Sequence, residues 1–349
     1  MLLKAILVGG LTVALISWGT NDDPVPSPVI PIDNLPAKIE IDGVPNGLVS
    51  RPKSPDQNPL TAAKVQLGRR LFFEPRLSKD DSVACASCHQ PEHGFASPDP
   101  LAIGIHGKQG RRNSPSLINR GYGTSFSWDG RDQSLEDQVR GPITNEIELA
   151  SDMETVIKKI GADESYVQQF REAFSDGAAN ADGATFVTEQ NLVFAIASFE
   201  RTILSGNSPV DRFRSAEYEA LSLSARQGMW IFESRGGCWK CHTGSSLSDE
   251  KFHNTGVGFG QPARDEGRFE FSKDPQEKFR YKTPALRDVE HTAPYMHNGS
   301  IKTLKEVVEF YNQGGSPDDP GLDQELEPLK LSPEEVDYLV DFLKALSGE

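Results

Sequence analysis

Cysteine is scarce in this sequence: four occur among 349 residues, and all four lie in two short C-x-x-C-H strings. Zinc ribbons also pair C-x-x-C motifs, but usually about 15–20 residues apart, whereas these pairs begin at positions 85 and 238. A disulfide would not require the histidine that follows each pair. C-x-x-C-H is the attachment signature of a c-type haem, so the sequence predicts two covalent haems. The predicted vinyl-binding cysteines and proximal iron ligands are Cys85, Cys88, His89, Cys238, Cys241 and His242.

Basic residues are also in short supply. The chain has 36 Lys and Arg against 51 Asp and Glu, a formal charge of −15. This balance argues against nucleic acid or an anionic membrane surface as the partner. It would steer a cationic partner towards the surface, and a small basic electron-transfer protein is one candidate.

A long hydrophobic run is missing as well. The apolar stretch from Ala5 to Trp18 follows Lys4 and is too short to span a bilayer, so residues 1–20 are predicted to be a secretory signal. No cysteine lies near its end, which excludes a lipoprotein anchor, and an uncleaved anchor is the alternative. Residues 21–50 are expected to be a Pro-rich linker. The predicted location is the periplasm, because bacteria attach covalent haem outside the cytoplasm.

The sequence shows no strong strand alternation, and the expected fold is mainly α. Apolar residues at helical spacing precede each haem string, at Lys64–Phe73 and Ala225–Phe232. This degenerate repeat predicts two cytochrome c-like domains, each binding one covalent haem, at 51–215 and 216–349. Other helices are expected at 151–174, 188–204, 303–312 and 333–346, and long Gly-, Pro- and Asn-rich loops at 90–125 and 244–300.

Several loop motifs recur in order around the two haem strings. They are Arg112–Leu117, Phe126–Arg131, Leu135–Gln138, Gly141-Pro142, Asn145–Glu148, Lys282–Arg287, Thr292–Gly299 and Thr303-Leu304. With these motifs the chain, from roughly residue 55 to 345, resembles the bacterial dihaem cytochrome c peroxidase family, which includes the MauG-like enzymes. The resemblance implies an oxidoreductase that acts on hydrogen peroxide.

The resemblance assigns roles around the first haem. The peroxide-reacting haem would be held by His89, with Glu148 as the distal acid–base carboxylate and Gln138 as its polar neighbour. Trp128 matches the tryptophan that assists electron exchange between the haems. Peroxide cleavage needs a group that takes a proton from one oxygen and returns it to the other, and a buried carboxyl with a raised pKa suits this task. A solvated helix-start carboxylate is the plain alternative for Glu148.

His106 lies in a flexible Gly-rich loop between the first haem string and the first loop motif. Ordinary peroxidases of the family place a removable distal histidine in this loop, whereas MauG-like enzymes keep the site open. The sequence leaves two alternatives: His106 is a distal ligand of the first iron, or it is a surface histidine.

The second iron has a predicted proximal ligand, His242, and two candidate distal ligands. The family position falls on Tyr311, where ordinary peroxidases hold Met and MauG-like members hold Tyr. Thioether ligation raises a haem potential, whereas phenolate favours ferric and higher states. Met296 is the rival ligand, and a core position beside Val307 and Val308 is the plain alternative for Tyr311.

A calcium site at the domain interface is also implied by the resemblance. Its ligands would be Asn113 and the backbone carbonyls of Thr292 and Pro294.

Three functions remain open on the sequence alone. The first is a peroxidase that reduces hydrogen peroxide with electrons from a small cytochrome c or cupredoxin. The second is a MauG-like enzyme that uses peroxide to oxidise residues of a partner protein. The third is a dihaem electron carrier, which would need no proton-transfer group over an open iron. Family members are often dimers, so a homodimer is a further expectation.

Overall fold

The computed structural model describes residues 43–175 and 185–348. This part of the chain is mainly helical, as the sequence predicts. Its helices are α1 (Ala62–Phe72), α2 (Cys85–Cys88), α3 (Leu135–Thr144), α4 (Met153–Gly161), α5 (Glu164–Phe174), α6 (Glu189–Glu200), α7 (Pro209–Arg214), α8 (Leu223–Glu233), α9 (Phe269–Ser272), α10 (Leu304–Asn312) and α11 (Pro333–Lys344). Two short strands, β1 (Phe252–His253) and β2 (Tyr281–Lys282), pair antiparallel.

The N-terminal segment predicted as a secretory signal lies outside the described residues, and so does the predicted linker as far as residue 42. Among the helices of residues 43–175 and 185–348, none combines the length and the apolar character needed to cross a membrane.

Each half of the molecule is built on a pair of helices that cross at a glycine. In the first half Gly68 of α1 lies so close to α6 that a Cβ would sit 1.8 Å from the Ala195 carbonyl oxygen. In the second half Gly228 of α8 meets α11, where a Cβ would sit 1.9 Å from the Tyr338 carbonyl oxygen. Only glycine permits this close backbone approach. The sequence repeat before the two haem strings therefore reflects a repeated helix crossing.

Two hydrophobic cores surround these crossings. The first extends from Leu67 to Ile203 and contains residues of α1 and α3–α6. The second extends from Val210 to Leu346 and contains α8, α10 and α11. Helix α7 packs in the second core through Val210 and Phe213. The second core therefore begins a few residues before the domain boundary expected at 215/216.

Helix capping explains where the predicted helices begin. Helix α11 starts at Pro333 with Ser332 as its N-cap and Glu335 closing a capping box, as expected from the sequence. The stretch 151–174, predicted as one helix, is instead two. Asp163 interrupts it by capping α5, because its side chain accepts a hydrogen bond from the Ser165 amide.

Candidate functional site

The first C-x-x-C-H string forms a single helical turn, α2, followed by His89 in a non-helical conformation. The Nδ1 atom of His89 lies 3.0 Å from the carbonyl oxygen of Phe95, and a carbonyl can only accept, so Nδ1 carries the proton. Burial lowers the pKa of His89, which keeps the ring neutral. In this tautomer the Nε2 atom carries no proton and has the lone pair that a metal ligand needs.

The second string repeats this arrangement. A short helical turn contains Cys238 and Lys240, and the Nδ1 atom of His242 lies 2.9 Å from the Leu247 carbonyl oxygen. Burial lowers the pKa of His242 as well. Two histidines far apart in sequence thus have the same tautomer and the same kind of partner.

A cavity next to the second string suits a haem group. Cys238, Cys241 and His242 border it, and so do both candidate distal ligands, Tyr311 and Met296. Burial raises the pKa of Tyr311 to about 12, so this phenol needs a nearby positive charge to ionise. The rest of the wall is largely apolar and includes Leu286, Val289, Leu304, Val308, Leu339 and Leu343. Thiols and an imidazole at one face of an apolar cavity are the donor set of haem c.

Glu148 lies beside the first string, in the turn that follows α3. Its Oε1 atom accepts a hydrogen bond of 2.7 Å from the Asn145 side chain, and its charge raises the pKa of the Cys88 thiol, after the larger effect of burial. Burial raises the pKa of Glu148 itself, partly opposed by Arg131 and by the Asn145 hydrogen bond. Gln138, half-buried, is on α3, so one helix and its following turn carry both predicted distal residues.

The loop that contains His106 packs on the backbone of Glu148. The Ile105 amide donates a 2.8 Å hydrogen bond to the Glu148 carbonyl oxygen. The His106 side chain is 64% exposed, and its Nδ1 atom lies 3.3 Å from Asp80. In this conformation His106 is paired at the surface.

Trp128 lies between the two halves. Its indole nitrogen donates a 2.8 Å hydrogen bond to the Asn113 carbonyl oxygen, and its ring meets His297 edge-on at 6.5 Å between centroids. His297 in turn stacks on Tyr281 at 3.6 Å. Trp128, His297 and Tyr281 all border the cavity of the second string, so an aromatic row leads from the first half to that cavity.

His297 was not predicted from the sequence to belong to this aromatic row, although its segment repeats the segment around Trp128. The segments around Trp128 and His297 have the same turn, closed by the bridges Phe126–Asp132 and Tyr295–Ile301. Each has a left-handed residue immediately before the aromatic one. Trp128 and His297 are therefore equivalent positions of the internal repeat.

The residues expected to bind calcium lie along the cavity of the second string. Asn113 is buried, its side chain donates to the Asp99 carbonyl oxygen, and its amide donates to the His297 carbonyl oxygen at 2.7 Å. Asn113, Thr292 and Pro294 border the same cavity.

Ion pairs that the sequence did not reveal join the two halves. Glu250 accepts from Arg120 at 2.8 Å and from Lys282 at 2.9 Å. Arg112, beside Asn113, binds Asp265 at 2.8 Å. Arg120 and Glu250 are 130 residues apart, and Arg112 and Asp265 are 153 apart, so no local pattern predicts these two pairs.

Two C-x-x-C-H strings, one in each helical half, with a carboxyl beside the first of them, are typical of a di-haem protein of the c type. A family model described as di-haem cytochrome c peroxidase matches residues 62–219. The chain belongs to the di-haem cytochrome c peroxidase and MauG family, as its relatives also show.

Three relatives illustrate this membership. The methylamine utilization protein MauG of Methylorubrum extorquens is 39% identical over 304 residues, covering 86% of this chain and 83% of that protein. The cytochrome c551 peroxidase of Pseudomonas aeruginosa is 30% identical over 296 residues, covering 83% and 80%. The crystal structure of a MauG-like protein associated with microbial copper homeostasis has a TM-score of 0.79 and 28% identity, covering 86% of this chain and 94% of that one.

The family membership has two direct consequences. Its cofactor is haem c, and the chain is a peroxidase-type oxidoreductase. This outcome confirms the predicted enzyme class and disfavours the electron carrier.

Proposed function

We propose that this protein is a periplasmic dihaem peroxidase that reduces hydrogen peroxide with electrons from a small redox protein. The observation that carries the proposal is Glu148, a half-buried carboxyl with a raised pKa beside the first haem string. A carrier of electrons needs no such group. The two covalent haems would be attached to Cys85 and Cys88 and to Cys238 and Cys241, in the two domains expected from the sequence.

Proton handling is the task we assign to the distal residues. The haem iron supplies the peroxide-binding position and the electron exchange. Glu148 accepts the proton of the near peroxide oxygen and returns it to the departing oxygen, which leaves as water. The 2.7 Å hydrogen bond from Asn145 holds the carboxyl orientation, and Gln138 assists as a polar neighbour.

Electron uptake is assigned to the second string because of its exposure. Trp239, between the two cysteines, is 49% exposed, whereas Ala86 at the equivalent position is only 4% exposed. A partner at the surface therefore reaches the second string directly. Trp128, between the halves, would then assist the transfer inward.

The MauG-like function is the second candidate, and Tyr311 is the observation that favours it. The sequence places Tyr at the position where ordinary peroxidases have Met, and this residue borders the second cavity. We assign Tyr311 rather than Met296 as the distal ligand of the second iron. His106, paired with Asp80 at the surface, leaves the first site open in this proposal.

The proposal also includes a bound calcium ion and export of the chain to the periplasm. Asn113 and the carbonyls of Thr292 and Pro294 would bind Ca²⁺ and tie the two halves together, since Ca²⁺ prefers oxygen ligands. Residues 1–20 would direct the chain to the periplasm.

Turnover of the haem-loaded protein with reduced cytochrome c or cupredoxin separates the two candidates. Steady oxidation of the donor by hydrogen peroxide is the result expected for the peroxidase. Peroxide consumption without donor oxidation, accompanied by oxidation of a partner protein, would replace it with the MauG-like function. No reaction with peroxide under either condition would contradict both.

The ligand assignment has its own matched pair of variants. Tyr311→Phe should change the EPR and absorption spectra of the second haem, whereas Met296→Leu should leave them as they are. The reverse pattern would assign Met296 as the ligand.

A further inference from the structure

Glu200 is a buried carboxyl for which the proposed reaction has no use. It is the last residue of α6 and is 4% exposed. Its Oε2 atom has no hydrogen-bond partner among the described residues. Burial raises its pKa to about 8, with Arg201 opposing and Glu136 reinforcing the shift.

Among the residues that the structure describes, Arg201 is the cation that lowers the pKa of Glu200, but the two side chains form no ion pair. The neighbouring Arg201 uses Nη2 to donate a 2.7 Å hydrogen bond to Glu136 on α3, and its Nη1 atom has no partner in the part of the chain described. Glu136 also accepts from Asn58, which contacts Lys64 of α1. The positive charges of this network therefore face Glu136 and Asn58.

The helix itself also disfavours a negative charge at this position. The C-terminal end of an α-helix carries partial negative charge from its unpaired carbonyl groups. Glu200 closes α6, so its carboxylate would lie at that end. Geometry, pairing and helix polarity together favour a carboxyl that binds a proton near neutral pH.

Glu200 lies on the side of the first haem string. Burial is the largest cause of the raised pKa of the Cys85 thiol, and the charge of Glu200 is the second largest. The preceding residue, Phe199, contacts Phe95 at 6.5 Å between ring centroids, and the Phe95 carbonyl is the partner of His89. The end of α6 thus reaches the elements that hold the first haem.

We propose that Glu200 is a redox-linked proton site of the first haem. Where Glu200 is ionised in the oxidised protein, the electron that a donor gives to the bound haem would be accompanied by one proton from solvent that binds the Glu200 carboxylate, and oxidation would release both. The reason is electrostatic: an added electron lowers the positive charge nearby and strengthens proton binding in a low-dielectric interior. The inference rests on the proposed attachment of a haem to Cys85 and Cys88.

Spectroelectrochemical titration of the two-haem protein between about pH 6 and about pH 9 tests this site. The midpoint potential of the first haem should stay level at pH values where Glu200 is already protonated. It should fall as pH rises past the pKa of this carboxyl, with a slope approaching one proton per electron. Glu200→Gln, which keeps the shape of the side chain, should remove most of that slope. Glu189→Gln is the matched control, because Glu189 is an exposed carboxyl at the start of the same helix, and it should change nothing.

Glu148 is the competing source of such a slope and needs its own variant. If Glu148→Gln removes the slope and Glu200→Gln retains it, the inference is wrong. A second measurement does not depend on any variant folding well. The infrared difference spectrum between reduced and oxidised wild-type protein should contain a protonated-carboxyl band that shifts in D₂O, and its absence would also overturn the inference.

The haem content separates this inference from the proposed function on which it rests. Two haems per chain with a pH-independent first potential would contradict the role of Glu200 alone. Fewer than two haems per chain would contradict the proposed attachment itself.

Discussion

The two haem strings have the same attachment chemistry but different surroundings. Both histidines use Nδ1 to donate to a carbonyl five or six residues later, and both halves cross their helices at a glycine. Around the first string the structure has a carboxyl, Glu148, and buried loop residues. Around the second it has Tyr311 and an exposed Trp239. Function is therefore assigned by what surrounds the repeated attachment unit, and this contrast can be tested residue by residue.

The largest expected effect comes from removing Glu148, the proposed acid–base group of the first site. Glu148→Gln should slow the peroxide reaction by about 10²- to 10⁴-fold while both haems stay attached. In the wild type the rate should fall as pH falls through the raised pKa of Glu148, since only the carboxylate can accept a proton, and the variant should lack this acid limb. Stopped-flow absorption with hydrogen peroxide measures both effects.

Glu146→Gln is the control for that variant, because Glu146 is exposed two residues earlier. Equal turnover in the Glu148→Gln protein and the wild type would show that Glu148 does not transfer the proton at the first site.

The next effect concerns the ion pairs that join the halves. Burial raises the pKa of Glu250, but the charges and hydrogen bonds of Arg120 and Lys282 lower it to about 2, below its ordinary value of 4.5. A folded-state pKa below the unfolded one stabilises the fold above about pH 4.5, and that contribution is lost as pH falls towards 2. Glu250→Gln should therefore destabilise the protein by about 3 kcal/mol at pH 7, because it leaves buried cations unpaired.

Thermal unfolding of wild type and Glu250→Gln at several pH values checks this prediction. The difference between the two should narrow with acidification. A difference that stays constant down to pH 2 would mean that the Glu250 charge does not join the halves.

Coupling between the two sites should depend on Trp128. Trp128→Phe removes the indole hydrogen bond to Asn113 and shortens the aromatic row. Electron exchange between the haems should slow by about tenfold, a barrier increase of about 1.4 kcal/mol. Rapid mixing of the reduced protein with peroxide, followed at wavelengths specific to each haem, measures the exchange, and an unchanged rate would remove Trp128 from the electron path.

The smallest effect is expected at the surface of the second string. Trp239→Ala should weaken donor binding by about 1 kcal/mol, as expected for an exposed aromatic contact residue, and should raise the KM for the reduced donor. The peroxide reaction of the pre-reduced protein should not change. Tyr218→Ala, at another exposed aromatic residue, is the control. An equal rise of the KM in both variants would show that the donor does not bind at the second string.

Local sequence signals predicted a large part of this arrangement. The C-x-x-C-H strings need no tertiary information, and the apolar spacing before them predicted the helices α1 and α8. Helix α11 was predictable because Ser332, Pro333 and Glu335 form its start within four residues. These features succeed because their physical causes are local.

The parts that the sequence did not reveal depend on contacts between distant residues. Helix α3 was not recognised because Gly141 and Pro142 lie inside it, and both residues usually end helices. The ion pairs of Glu250 link positions that only the tertiary fold brings together. His297 could have been found by aligning Tyr295–Gly299 with Phe126–Gly130, because both segments have an aromatic residue, a second ring two positions later, and then Asn or Asp before Gly.

Titration of the fully oxidised, haem-loaded protein with cyanide, followed by EPR, tests the contrast between the two sites most directly. We predict a high-spin ferric signal from the first haem, lost on cyanide binding, and a low-spin signal from the second haem that persists if His242 and Tyr311 are both iron ligands, as we propose. Two low-spin signals before cyanide, or cyanide binding at the second haem, would contradict the account.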